Sequence, residues 1–230
     1  FYVQSQKLFS AIISNNKLKQ IDILYTKFTQ EFSEEKFKKL LSRLPAKMQK
    51  KNARLYRWQD RHANLLGKLL LLQGLQNCGY KNGVLDELKY SENGRPFLTN
   101  ELDFNISHSG EYVICAMSKN TRIGVDIEKI TQINFDNFKS VMTNEQINFI
   151  KNSEAPLETF FNYWTIKESF VKADGRGLGI DLSQITINLD SIIYDSKKWF
   201  SKNVFIDTGY CCHLTIDKIN FDVNLKYLSL

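Results

Sequence analysis

The chain has no apolar run long enough to span a bilayer, which excludes a helical membrane protein. It contains neither G-x-x-x-x-G-K-[ST] nor G-x-G-x-x-G, so a P-loop or a dinucleotide fingerprint is unsupported. Of its four cysteines (Cys78, Cys115, Cys211, Cys212), no two show a C-x-x-C spacing, and the adjacent pair is a poor metal clip. Cys115 and the 211–212 pair fall in strand-like segments, so buried free thiols in a reducing cytoplasm are expected. No basic region leads into an apolar core behind Phe1, and no signal peptide is expected. No Gly/Ser/Pro-rich linker interrupts the 230 residues, so one compact unit is expected.

What is present is a globular composition: 43% hydrophobic, with 16 Phe and 10 Tyr. The net charge of +6 suits an anionic ligand or an acidic protein partner. The basic residues are not confined to one run, so this is no nucleic-acid footprint. Ile21–Tyr25 reads as a first strand, and charges at helical spacing run from Phe28 to Leu44. A basic stretch from Lys47 to Arg61 precedes a helix over Asp60–Gln76, whose leucines form a broad stripe ending near Gly79. Strands are expected over Leu88–Tyr90, Asp103–Ile106 and Tyr112–Met117, with Ser107-His108-Ser109-Gly110 as the turn between the last two. Thr143 and Gln146 form a capping box, and Ser153 with Pro156 opens a second long helix that stops at Gly175 or Gly177. Four β-like segments follow: Ile185–Leu189, Trp199–Ile206, Tyr210–Ile216 and Phe221–Leu228. Helix then strands, twice, predicts an α+β fold of two similar halves, 1–118 and 119–230.

The chemistry centres on Ile123-Gly124-Val125-Asp126-Ile127-Glu128. Its alternation buries the aliphatic residues and sets Asp126 and Glu128 side by side on the other face, which is expected to look outward. Paired carboxylates on a rigid strand repel unless a cation lies between them, and hard oxygens at this spacing suit Mg²⁺. Gly124 would let a bulky ligand approach the backbone. Trp164, Glu168 and Lys172 are spaced by four, in a row on one helix face. They fit either a surface Glu–Lys pair beside a core tryptophan, or a third carboxylate with an anion-binding lysine. The small-residue turn around His108 suits a phosphate held by backbone N–H groups and hydroxyls.

Three blocks resemble the Sfp-type 4′-phosphopantetheinyl transferases, in order and spacing: FNISHSGEYV at 104–113, IGVDIE at 123–128 and WTIKESFVKADGRGL at 164–178. The basic segment and RWQDRHANLLG at 57–67 extend the likeness more weakly. The resemblance implies two α+β halves about a pseudo-twofold axis with the site between them. It implies coenzyme A as donor and a serine of an apo acyl or peptidyl carrier protein as acceptor, with 3′,5′-ADP released. Carried over by position, Asp126, Glu128 and Glu168 would hold Mg²⁺ against the pyrophosphate, which Lys172 would also contact. His108, with Ser107 and Ser109 shaping its turn, would meet the 3′-phosphate together with Lys47 and Lys50, and Arg95 the adenosine end. Glu168, or a water on the ion, would take the serine proton, and Lys172 could assist departure of the ADP. Where the family usually has an arginine, this chain has Ala63, and Arg57 or Arg61 would have to supply that charge.

The apolar segment Phe135–Met142, with Phe135, Phe138, Val141 and Met142, is expected either to dock the carrier protein's acidic helix or to be ordinary core. A monomer that binds neither membrane nor nucleic acid is expected. Two other functions fit some of these residues: a non-catalytic anion- or nucleic-acid-binding domain using 47–61, and a Mg²⁺-dependent phosphohydrolase with water as nucleophile.

Overall fold

A computed structural model describes residues 19–99, 101–189 and 191–230. The part of the first half before residue 19 lies outside the described residues. Strand β1 (Lys19–Lys27) is followed by helices α1 (Glu34–Leu41), α2 (Ala46–Asn52) and α3 (Trp58–Asn77). Short strands β2 (Lys89–Tyr90) and β3 (Pro96–Phe97) form a hairpin, and β4 (Leu102–Ser109), β5 (Tyr112–Lys119) and β6 (Ile123–Lys129) follow. Helices α4 (Asn144–Lys151) and α5 (Pro156–Asp174) lead into β7 (Thr186–Asn188), β8 (Ser191–Tyr194), β9 (Lys197–Asn203), β10 (Tyr210–Ile216) and β11 (Phe221–Tyr227).

Most elements match the hydrophobic pattern. Helix α4 has the expected capping box, with Thr143 accepting from the Gln146 N–H and Gln146 from the Thr143 N–H. Helix α5 ends at Gly175, in the left-handed region at φ 88°, where a Cβ would meet the Arg122 guanidinium at 2.6 Å. Three expectations need correction. Ser153 does not cap α5: its hydroxyl bonds back to the Ile150 carbonyl, and Ala155 holds the cap position. Strand β8 lacked a pattern of its own because it is a four-residue arm pairing with both β7 and β9. Ser107, His108 and Ser109 are not a turn but the end of β4, paired with Ile114, Val113 and Tyr112.

Two sheets result, in the orders β11-β1-β5-β4 and β6-β10-β9-β8-β7. Helix α3 covers the first through Leu66, Leu69 and Leu70, packed among Phe104, Val113 and Met117. Each such leucine is fully buried and contributes about 1.5–3 kcal/mol. Helix α5 covers the second. Between the sheets lies a shared core, with Ile21, Ile23, Ile114 and Ala116 facing Ile123, Val125, Ile127 and Leu214. The chain is therefore α+β with two helix-on-sheet halves. The halves interlock: β11, at the end of the chain, pairs in parallel with β1. The expected division after residue 118 falls one residue before the end of β5.

Strand β6 has two kinds of neighbour. One edge forms an antiparallel ladder with β10. The other meets β4 through side chains. The N–H groups of Ile123, Val125, Ile127 and Lys129 donate to Asp103 Oδ2 (2.9 Å), Asn105 Oδ1 (2.9 Å), Ser107 Oγ (3.4 Å) and Ser109 Oγ (3.0 Å). Every second residue of β4 thus satisfies every second amide of β6, and the halves join by a polar seam.

The second face of β6 does not look outward, as the alternation suggested; α5 lies on it. At Gly124 a Cβ would stand 2.0 Å from the Ser169 carbonyl oxygen and 2.4 Å from the Ala173 nitrogen. The glycine admits the helix, not a ligand. Two further bonds fix α5 on the sheet, Thr165 Oγ1 to His213 Nδ1 (2.8 Å) and Ser169 Oγ to Thr215 Oγ1 (2.7 Å).

Gly124→Ala should therefore cost at least ~3 kcal/mol, lowering Tm by roughly 6–12 °C in thermal unfolding. A drop under 2 °C would show that the helix rides more loosely than its contacts imply. His213 tests the same packing through pH. Burial holds its imidazole pKa down to about 4, against 6.5 when unfolded. The unfolded chain then binds the extra proton first, so this stability is complete above pH 6.5 and is lost as pH falls towards 4. Urea titrations should show a loss of about 3 kcal/mol from this one group across that interval, absent in His213→Gln.

Candidate active site

The seam that joins the halves also builds the site. Ser107 Oγ accepts from the Ile127 N–H and donates to Asp126 Oδ1 at 2.9 Å. Ser109 Oγ accepts from the Lys129 N–H and donates to Glu128 Oε2 at 2.6 Å. The two serines thus aim the two carboxylates of β6. This revises their expected role as walls of a phosphate-binding turn: paired in a strand, they act on acids. Lys172 completes the group from α5, its Nζ lying 2.5 Å from Asp126 Oδ1 and 2.9 Å from Ser107 Oγ.

Asp126 is 3% exposed, and its Oδ2 is buried without a hydrogen-bond partner. An unpaired carboxylate oxygen in that position costs on the order of 1–3 kcal/mol unless something positive meets it. Glu128 and Glu168 belong to the same field. Burial raises the Glu128 pKa, as does the Asp126 charge, against opposing bonds from Ser109 and Trp164. Burial likewise raises that of Glu168, with Asp126 the next largest cause and Glu128 adding to it. Glu168 lies one helical turn before Lys172 on α5, and the Lys172 ammonium meets Asp126 on β6. Three carboxylates share one ammonium, so full ionisation leaves two negative charges uncompensated. Among the described residues no three acid, imidazole or thiol groups already close into a metal shell. The donor set nonetheless fits Mg²⁺: all oxygen, with burial disfavouring the charged forms of Glu128 and Glu168 and one buried oxygen of Asp126 left over.

Of the remaining expected residues, His108 shares the field of this group, whereas Lys47, Lys50 and Arg95 line other cavities. His108 is exposed on β4, and its imidazole pKa is lowered by desolvation and by the Lys172 charge. Lys47 and Lys50 are exposed on α2 and line a cavity of about 550 Å³ with Lys51, Arg54 and Tyr90. Arg95 is not free to reach a ligand with its whole guanidinium. It is 9% exposed, and one nitrogen bonds both Asp103 carboxylate oxygens (2.8 Å each) and the Ile123 carbonyl (2.8 Å). It closes the far end of the seam and lines a separate cavity of about 690 Å³ with Arg122 and Gly175. Ala63 is buried core. Arg61 does not replace the missing arginine there, because its guanidinium lies over the Phe37 ring at 4.8 Å, facing α1.

Of the expected docking residues, Met142 is 1% exposed and presents nothing to a partner, which corrects that assignment. Phe135, Phe138 and Val141 are half-buried, and Phe138 packs on Phe160 (4.6 Å) and Trp164 (5.5 Å). Phe149, not expected there, is 60% exposed beside Tyr163. Also missed were Asp103 and Asn105, whose alternation with Ser107 and Ser109 was the available signal. Lys167 was missed too. It is fully buried, seven residues after Phe160 and three before Phe170 on the core stripe of α5.

The chain also matches known proteins along most of its length. Residues 31–120 match the model for the 4′-phosphopantetheinyl transferase N-terminal region, and residues 122–219 match that for the 4′-phosphopantetheinyl transferase superfamily. The 4′-phosphopantetheinyl transferase gsp of Aneurinibacillus migulanus is 30% identical over 217 residues, which cover 88% of this chain and 90% of that one. The chain belongs to the 4′-phosphopantetheinyl transferase superfamily. Sfp of Bacillus subtilis strain 168 is 31% identical over 161 residues (68% of this chain, 71% of that one). Transferase ffp of Bacillus subtilis is 30% identical over 208 residues (86% and 92%). The two models meet at residue 121, in the turn between β5 and β6, where the seam begins. This enzyme is thus a phosphopantetheinyl transferase, and no helix among its described residues is long and apolar enough to cross a membrane.

Calorimetric titration of Mg²⁺ into the chain should give an affinity that climbs with pH through the range above ordinary carboxylate pKa values. Glu128 and Glu168 must shed protons before they can ligate. Asp126→Asn should weaken that affinity by roughly tenfold or more. A pH-independent affinity would place the ion away from these glutamates.

Proposed function

We propose that the enzyme transfers the 4′-phosphopantetheine group of coenzyme A, in a Mg²⁺-dependent reaction, to a serine hydroxyl of an apo acyl or peptidyl carrier protein. The observation that carries this reading is the unpartnered, buried Asp126 Oδ2 amid an excess of acid. Such a group is unfavourable alone and suited to a cation that itself grips a diphosphate. Asp126, Glu128 and Glu168 would hold the ion. Bound there, Mg²⁺ would neutralise the diphosphate oxygens that otherwise repel a nucleophile.

The chain's own residues supply the rest. Ser107 and Ser109 hold the two β6 carboxylates in fixed orientations, so little reorganisation is needed when substrate arrives. Lys172, 27% exposed at its side chain, directs an ammonium at the diphosphate and offsets charge growing on the departing phosphate. Glu168, one turn before Lys172 on the same face of α5, takes the serine proton through a carboxylate oxygen not engaged in holding the ion. The serine Oγ–P bond forms, the P–O bond to the nucleotide breaks, and 3′,5′-ADP leaves. His108, Lys47 and Lys50 face the 3′-phosphate. The carrier protein docks beside α5 on Phe135, Phe138, Val141 and the neighbouring Phe149. One chain supplies both halves of this site, so a monomer suffices.

The same acids would serve a phosphohydrolase. One incubation with coenzyme A, Mg²⁺ and apo carrier protein separates the two by mass spectrometry. The expected product is a carrier heavier by one phosphopantetheine group, lost with EDTA and in Asp126→Ala. Coenzyme A breakdown without an adduct would replace the transferase reading with hydrolysis, and an active Asp126→Ala would remove the acid cluster from the mechanism.

A further inference from the structure

Lys167 has no use in the chemistry above, yet its placement is costly. It is 0% exposed in the middle of α5, one residue before Glu168, and among the described residues its ammonium bonds to no carboxylate. Burial lowers its ammonium pKa to about 8, with Asp181 only a distant opposing charge. Its Nζ spends all three protons on neutral oxygens: the Val141 carbonyl at 2.7 Å, Gln146 Oε1 at 2.8 Å and the Leu182 carbonyl at 2.9 Å. An apolar side chain would fill this part of the helix stripe at lower desolvation cost. What the ammonium adds is a fixed position for three separate segments.

Those segments are not equivalent. Val141 closes the aromatic stretch 135–142. Gln146 belongs to the capping box of α4, whose exposed face carries Phe149. Leu182 lies in the turn beyond α5. All three are tied to one point of the helix that also carries Glu168 and Lys172. We propose that Lys167 is a positioning residue that holds the 135–149 surface in register with the catalytic face of α5, and so sets how the carrier-protein serine is presented to the site. This rests on the transferase reading and on that surface as the docking face. Lys167 touches neither substrate; it acts through Val141 and Gln146.

The test compares steady-state kinetics of wild type, Lys167→Met, Gln146→Ala and Gln146→Glu, with apo acyl carrier protein and an apo peptidyl carrier domain as acceptors. Lys167→Met matches the volume and removes the latch. Gln146→Ala keeps the lysine and removes one acceptor together with the capping-box bond from the Thr143 N–H, which covers the case in which Lys167→Met does not fold. Gln146→Glu retains the capping box and gives the ammonium a stronger partner. The expected result is a carrier KM raised about fivefold or more in Lys167→Met and Gln146→Ala, coenzyme A KM within about twofold of wild type, and rescue in Gln146→Glu. Hydrogen exchange should speed up over 138–149 and 180–184 and stay unchanged in β6. Equal losses for both substrates, or an unchanged carrier KM with faster local exchange, would reduce Lys167 to a packing residue and overturn the inference. A wild-type enzyme that modifies neither carrier would instead sink the transferase reading on which it rests.

Discussion

Four backbone amides of β6 find no backbone carbonyls on the side that faces β4. They find instead the side-chain oxygens of Asp103, Asn105, Ser107 and Ser109. Buried amides must be satisfied, and a second ladder would have made one flat continuous sheet. Satisfying them through side chains sets β4 further away and lets the two sheets fold over a common core. It also leaves the far lone pairs and protons of the serines to act on Asp126 and Glu128. Joining the halves and orienting the acids are one set of bonds.

That economy explains the charge balance of the cleft. The carboxylates sit between a sheet and a helix, where ionisation is disfavoured, and a single lysine meets them. The fold therefore bears an unfavourable field that a bound cation would relieve, and perturbed acids of this kind cluster at functional sites. The helix reaches this position only because Gly124 has no side chain and because Thr165 and Ser169 pin it to His213 and Thr215.

The acid–lysine group was legible in the sequence because its members lie on regular elements: a period of two places Asp126 with Glu128, and a period of four places Glu168 with Lys172. The residues expected at the nucleotide were less so. Arg95 looked like a ligand in an exposed turn, whereas Asp103 and the Ile123 carbonyl hold it in the seam. Ser107 and Ser109 looked like a loop because polar residues interrupt the apolar pattern. They are in fact strand residues whose partners are across the molecule. Polar side chains that serve tertiary hydrogen bonds mimic turns when only neighbours in sequence are considered.

The buried face of β6, the bodies of both long helices and a glycine stop at Gly175 or Gly177 follow from the sequence alone, because each rests on local periodicity or backbone stereochemistry. The helix lying over the second face of β6, the pairing of the final strand with the first, and the burial of Lys167 and Arg95 among neutral and acidic partners were decided by the tertiary structure. Each depends on which distant segment comes to cover a residue, and no local pattern carries that information.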